Sequence, residues 1–285
     1  MTWPPLRIGS RVFAPPGPYL MGVLNVTPDS FSDGGRFLDP AAAVDRALQL
    51  AGEGADLLDV GGESARPGAR PVPAEEERRR VVPVLERLAA LGFAAPISVD
   101  TSKAEVARAA LAAGAALVND VSSLADPEMA RVVAGAGVPV VLMHMRGTPA
   151  DMQSRARYRD VVGEVKAELA AALARAAAAG VSPERTILDP GIGFAKDAGH
   201  SVRILARLVD LAALGRPLLV GPSRKSFVGQ VTGAPVEERL PGTLAAVTAA
   251  VLGGATFLRV HDVAAARQAA RVAAAIRDAA RASGA

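Results

Sequence analysis

Cysteine is absent from the 285 residues, which excludes a disulfide framework and any thiol or cysteine-ligated metal chemistry. A reduced cytoplasm fits that composition. No apolar run approaches the roughly 20 residues of a membrane-spanning helix. The opening stretch, MTWPPLRIGS, lacks the basic-then-apolar pattern of an export signal. A large charge of one sign is also missing: 32 basic residues against 29 acidic ones leave a formal net charge of +3. Many arginines sit beside acids, as in Glu75-Glu76-Glu77-Arg78-Arg79-Arg80, a pattern of a solvated helix face rather than of a nucleic-acid patch. No glycine-rich dinucleotide fingerprint follows an apolar run: Gly61-Gly62 leads into Glu63-Ser64, and Gly191-Ile192-Gly193 lacks the third glycine. No linker-like segment interrupts the chain, so residues 19–285 read as one domain behind an N-terminal extension, residues 1–18, able to form a short hairpin.

What is present is a repeated plan. Short apolar runs at 19–25, 57–61, 97–100, 116–119, 139–144, 186–189, 218–221 and 256–260 read as buried strands. Helical patterns at 40–53, 74–91, 103–113, 127–135, 157–179, 200–214, 241–252 and 263–282 alternate with them, with stops at Gly92, Gly114, Gly137, Gly180, Gly215 and Gly253. Wholly apolar strands alternating with amphipathic helices mean a parallel sheet covered by helices. Eight such units in about 250 residues predict a single (β/α)8 TIM barrel. An open doubly wound sheet is the rival, but it needs edge strands and no unit is polar enough to be one.

In such a barrel the C-terminal strand ends form the active face. Here they carry Asn25, Asp59 with Glu63, Asp100, Asn119 with Asp120, His144, Asp189, Ser223 with Lys225, and Arg259 with His261. Taken singly, an Asp or Asn at such a place serves equally well as a helix cap, Asp100 and Asp262 among them. Caps do not call for Lys, Arg and His at several strand ends. Acids and amides on the middle strands facing bases on the last two describe a ligand with two polar parts. His144, between two methionines, reads as a packed residue, and His200 as a surface cap. Gly221-Pro222-Ser223-Arg224-Lys225-Ser226 is not a P-loop; its Arg-Lys pair before a possible helix start suits an anion.

These stretches together resemble the dihydropteroate synthase family. MGVLNVTPDSFSDGG, DVGGESARPGA, SVDTSK, LVNDVSS, LMHMRGTPADMQ, ILDPGIGF, GPSRKSF and RVHD stand in the family's order from Tyr19 to His261. The resemblance implies a transferase of folate biosynthesis that joins 6-hydroxymethyl-7,8-dihydropterin diphosphate to p-aminobenzoate, with sulfonamides as p-aminobenzoate mimics. It assigns Asp189, Asp100, Asn119 and Lys225 to the pterin. A flat ring also needs apolar walls, and Val121, Met143, Ile192 and Phe194 stand at or just past these strand ends, where each suits a wall or ordinary core packing equally well. The resemblance places Asn25, Arg66, Arg259 and His261 on the diphosphate, with Mg²⁺ on Asn25. Asp33 would sit beside the developing cation, and Phe31, Pro67, Lys225 and Ser226 around p-aminobenzoate. It further implies a homodimer through the alanine-rich last helices. The first two loops are long and rich in Gly, Pro and Ser, which predicts that they close over the substrates as lids. One departure stands out: Ala65 occupies a position where the family commonly has Thr. A methyltetrahydrofolate–corrinoid methyltransferase would share the pterin residues but have no use for Arg66, Lys225, Arg259 and His261. A non-catalytic pterin-binding paralogue should show damage in the first two loops, where only Ala65 is unusual.

Overall fold

The computed structural model describes residues 3–27, 40–66 and 68–282. Ten strands are present among them. β1 (Leu6–Ile8) and β2 (Arg11–Phe13) form an antiparallel hairpin. The other eight are β3 (Tyr19–Asn25), β4 (Leu57–Gly61), β5 (Ile97–Asp100), β6 (Leu117–Asp120), β7 (Val140–Met143), β8 (Thr186–Asp189), β9 (Leu219–Val220) and β10 (Phe257–Val260). They pair in parallel in the order β8-β7-β6-β5-β4-β3-β10-β9. Leu188 of β8 then pairs with Leu218 beside β9, and its N–H donates to the Pro217 carbonyl at 2.9 Å, which closes the ring. The closed parallel sheet is the predicted TIM barrel, and closure removes the edges that an open sheet would have to protect.

The helices lie outside: α1 (Pro40–Gly52), α2 (Ala74–Ala90), α3 (Ala104–Ala112), α4 (Pro127–Ala136), α5 (Val161–Ala178), α6 (Ala198–Ala206), α7 (Leu208–Ala212), α8 (Ser226–Thr232), α9 (Leu240–Leu252) and α10 (Val263–Ala282). Each buries one stripe, such as Val81, Val84, Leu85 and Leu88 of α2, against the outward-facing strand residues. Several boundaries differ from expectation. α5 starts at Val161 rather than 157, because the Asp160 carboxylate accepts the Val162 N–H at 3.2 Å and caps it. The helix expected over 200–214 is two, broken at Arg207. Ile204, Leu208 and Leu211 are all buried across the break, so the hydrophobic period carries no sign of it. The left-handed stop after α9 is Gly254 (φ +96°), not Gly253, which stays helical at φ −76°.

The hairpin closes the N-terminal end of the barrel. Trp3, Leu6, Ile8 and Phe13 pack with Met21, Leu57, Leu117, Val141, Ile187, Leu219 and Phe257, the inward residues at the start of seven strands. Phe13 meets Tyr19 edge to face at 4.8 Å, and the Tyr19 hydroxyl donates to the Ala14 carbonyl at 2.8 Å. Arg11 reaches the Asp56 carbonyl at 2.8 Å and its carboxylate at 3.0 Å. One end of the barrel is thereby a dry core, and the polar residues collect at the other. Among the described residues, no helix is long and apolar enough to cross a membrane.

Candidate active site

Strand side chains alternate between barrel interior and helix layer. The same phase that buries Met21, Leu57, Leu117, Val141, Ile187 and Phe257 inside brings Asn25, Asp59, Asn119, Met143, Asp189 and Arg259 inside two or four residues later. Register sets their level. Asn25 pairs with Gly61, Gly61 with Asp100, Asp100 with Asn119, and Met143 with Asp189. Asp59 lies one layer deeper, opposite Ser98. The mouth of the barrel is thus lined by acids and amides from the middle strands, with Arg259 and His261 arriving from the last.

Arg259 ties the two sides together. Its Nε donates to Asp59 Oδ2 at 2.6 Å and its Nη2 to Asp100 Oδ2 at 2.7 Å. Asn119 Nδ2 donates to the same Asp59 oxygen at 2.9 Å, which orients the amide. Burial pushes the Asp100 carboxyl well above the ordinary carboxylate range; the Arg259 charge opposes that and the Asp59 charge adds to it. These bonds use two of the five guanidinium N–H donors.

Asp189 and Lys225 form the second group. Asp189 is 6 % exposed, and its Oδ1 accepts the Gly191 N–H at 2.7 Å. Burial raises its carboxyl to about 6 against the pull of that hydrogen bond and of the Lys225, Arg259 and Lys196 charges. Burial lowers the half-buried Lys225 to about 8, with the Arg259 charge pushing the same way and Asp189 opposing. The Lys225 ammonium stands 3.8 Å from the centre of the Phe194 ring. Met143 pairs with Asp189 across β7 and β8 and is buried, as is Ile192 three residues past Asp189, while Phe194 is half-buried against Lys225, so apolar side chains stand at this strand end; Val121, just past β6, is half-buried.

His261 follows β10. Its backbone N–H donates to Ser223 Oγ at 3.2 Å, and the same hydroxyl lies 2.9 Å from its Nδ1. The hydroxyl proton can go to Nδ1, and in that tautomer the imidazole proton sits on Nε2. Burial and then the Arg259 charge lower His261 to about 4, so the ring is neutral at pH 7 and acts as a hydrogen-bond donor rather than a cation. Arg66 is exposed on the β4–α2 loop. Its charge helps to lower both Lys225 and His261, so it belongs to the same mouth. That loop is tied at its base: Lys103 Nζ donates to Glu63 and to Glu77 Oε2, and Glu63 Oε1 accepts the Val72 N–H at 3.2 Å. Ser226 is the exposed first residue of α8. Asp33, Phe31 and Pro67 lie outside the described residues.

Several residues take parts that sequence reasoning did not give them. Asp120 points out of the barrel and binds its own turn, accepting from the Ser122 and Leu124 N–H groups at 2.8 and 2.7 Å. Asp100 caps no helix: α3 has no side-chain cap, and the carboxylate goes to Arg259. The Asp262 carboxylate holds Arg224 at 2.5 and 3.0 Å. His200 is buried rather than at the surface; Asp197 is the cap, with His200 completing a capping box and its ring 5.0 Å from Tyr158. Asp59 and Ser223, noted only as polar strand-end residues, orient Arg259, Asn119 and His261. The period-two phase of β4 could have put Asp59 inside, but not named its partners.

Three comparisons bear on this geometry. Residues 21–261 match the family model described as pterin binding enzyme. A dihydropteroate synthase of Synechocystis sp. is 46 % identical over 273 residues, covering 95 % of this chain and 94 % of the relative. The solved dihydropteroate synthase of Xanthomonas albilineans with 4-aminobenzoic acid superposes with a TM-score of 0.90 at 50 % identity, covering 97 % of this chain and 99 % of the other. The same organism's enzyme in complex with 7,8-dihydropteroate gives a TM-score of 0.87 at 47 % identity, covering 96 % and 99 %. Matched over nearly its whole length in sequence and in fold, this chain belongs to the pterin-binding enzymes and, among them, to the dihydropteroate synthase family.

Proposed function

We propose that this dihydropteroate synthase breaks the C–O bond of its pterin diphosphate ahead of attack by the aryl amine, using one half of the barrel mouth for the ring and the other for the leaving group. The reaction joins 6-hydroxymethyl-7,8-dihydropterin diphosphate to p-aminobenzoate and gives 7,8-dihydropteroate and pyrophosphate. The observation that carries the reading is the pairing, at one mouth, of a buried, apolar-walled Asp189 with the Arg259–His261 set.

A pterin presents ring N–H, amino and carbonyl groups along one edge. The Asp189 carboxylate can accept two of those N–H bonds, Asp100 and Asn119 serve the remaining ring nitrogens, and Lys225 takes the carbonyl and N5 side. Met143, Ile192, Phe194 and Val121 wall the ring. Arg66, Arg259 and neutral His261 donate to the diphosphate. The pyrophosphate leaves with the bonding pair, and the electron-rich ring carries the positive charge left at the methylene. Asp33 is assigned to stabilise that charge. The amine lone pair then forms the C–N bond, and its proton passes to solvent. Phe31, Pro67 and Ser226 are assigned to hold p-aminobenzoate.

Mg²⁺ belongs to this reading. It takes oxygen ligands and keeps several waters, and Asn25 supplies an amide oxygen at the level of Asp100 and Asn119. Asn25 would hold the ion together with diphosphate oxygens. When bound, the ion supplies neutralisation of the leaving group's charge. A cytoplasmic homodimer is part of the same reading; exposed Val209, Leu252, Val272 and Ile276 on α7, α9 and α10 offer it an apolar surface.

The test is pyrophosphate release from the pterin diphosphate, with and without Mg²⁺ and p-aminobenzoate, followed by product identification. Dihydropteroate formed only with both present is the expected result. Pterin binding without release or product would make the chain a non-catalytic paralogue, with Ala65 the first position to revert to Thr.

A further inference from the structure

The β8–α6 turn is an unfavourable piece of backbone. Gly191 (φ +65°), Gly193 (φ +81°) and Ala195 (φ +48°) all lie in the left-handed region, and Ala195 has no glycine freedom to excuse it. A Cβ on Gly191 would sit 2.0 Å from the His144 carbonyl oxygen, so this turn packs directly on the end of β7. Lys196 sits beneath it, 3 % exposed. Its ammonium finds three acceptors: His144 Nδ1 at 2.9 Å, the Phe194 carbonyl at 2.9 Å and the His144 carbonyl at 3.3 Å. Three acceptors match the three N–H donors of the ammonium form, and no carboxylate among the described residues shares them; burial lowers that ammonium to about 7, so these acceptors and the distant Asp189 and Glu168 charges are what keep its proton there.

The arrangement extends outward from the lysine. His144 Nε2 lies 2.9 Å from Glu168 Oε2 on α5. That carboxylate selects the tautomer with the proton on Nε2 and leaves the Nδ1 lone pair for Lys196. Arg146 pairs with Glu168 and stacks 4.1 Å over the Tyr158 ring, whose hydroxyl donates to the Ala195 carbonyl at 3.0 Å. Gln153 adds a bond to the Gly193 carbonyl at 3.2 Å. Inward, the same turn supplies the Gly191 N–H to Asp189 and carries Phe194 against Lys225.

We propose that Lys196 is a positioning residue for the pterin: it pins the β8–α6 turn to the end of β7 and so fixes Asp189 and Phe194 in the geometry that recognises the ring. This rests on the reading of Asp189 and Phe194 as pterin contacts. Lys196 touches neither the mouth's diphosphate side, where Arg259 and His261 stand, nor Ser226.

The test is the folded Lys196→Met variant, confirmed by circular dichroism and thermal melting. Its affinity for the pterin diphosphate with Mg²⁺ is read by calorimetry, and the KM for p-aminobenzoate is measured at saturating pterin. The expected result is pterin binding at least about tenfold weaker, as for loss of one buried charge-assisted hydrogen bond, with the p-aminobenzoate KM within about twofold. Pterin affinity at wild-type strength, or equal losses for both substrates, overturns the proposal. If Lys196→Met does not fold, Glu168→Ala decides, because Glu168 lies on the outer helix with its side chain 42 % exposed. A pterin-selective loss of about threefold supports the chain of contacts, and unchanged pterin affinity overturns it. Asp189→Asn, measured alongside, separates the two readings. If it too keeps wild-type pterin affinity, the pocket assignment fails; if it loses binding while Lys196→Met does not, only the positioning role fails.

Discussion

Asp189→Asn should stabilise the fold while destroying pterin recognition. Burial holds the Asp189 carboxyl at about 6 against an ordinary 3.8. That gap of roughly two pH units is about 3 kcal/mol at 1.4 kcal/mol per unit. A carboxyl raised in this way favours the fold below its unfolded value, and that favour is lost as pH rises through about 6. At pH 8 the ionised Asp189 therefore weighs against folding, and Asn, a stand-in for the protonated acid, removes the penalty. Asn can still accept from the Gly191 N–H, so after allowance for imperfect replacement the net gain is about 2 kcal/mol, a rise in Tm of about 3 °C. At pH 4.5 the gain should nearly vanish. The pterin meets an amide NH2 where two of its N–H groups need acceptors, a loss of about 3 kcal/mol or more, or some hundredfold in affinity. Scanning calorimetry at pH 8 and pH 4.5, with pterin titrations at pH 8, checks both halves. A variant less stable than the wild type at pH 8, or one that binds the pterin normally, would refute the reasoning.

Wild-type pterin affinity should fall as pH drops through about 6, because Asp189 gains a proton and loses an acceptor; affinity measured from pH 8 to pH 5 should drop across that value, with the titrations of Asp100 and Lys225 superposed on it. Gly191→Ala should cost about 3 kcal/mol or more, since its Cβ meets the His144 carbonyl oxygen at 2.0 Å with φ at +65°, and urea unfolding measures it. Ser223→Ala strips His261 of both hydrogen bonds to the hydroxyl; kcat/KM for the pterin diphosphate should fall about tenfold, and steady-state kinetics would show no change if Ser223 were merely packing. Phe13→Ala opens the fully buried plug at the far end of the barrel. It should cost about 3–5 kcal/mol with pterin affinity unaltered, which separates stability from function.

Much of the barrel was legible because its signal is periodic. Short apolar strands at regular spacing can be buried only in a parallel sheet with helices on its outer face, and eight of them close. Asp59, Asp100, Asn119, Asp189 and Arg259 fall inside because each continues the two-residue alternation of its own strand. The break at Arg207 was not legible, because the apolar stripe runs through it, and neither was the left-handed step to Gly254, because two glycines stand side by side. Asp120 misled for a local reason: one residue past Asn119, the alternation turns it outward into its own turn.

Amino-acid order by itself determined the class of fold and the polar residues that collect at one end of the barrel, because propensity, alternation and motif spacing are properties of neighbours in the chain. Pairing is not. Arg259 finds Asp59 and Asp100 across 200 and 159 positions, Lys196 finds His144 across 52, and Ser223 finds His261 across 38. Those partners, and the burial that raises Asp189 and neutralises His261, exist only once strand order and barrel closure have brought distant segments into a common low-dielectric space.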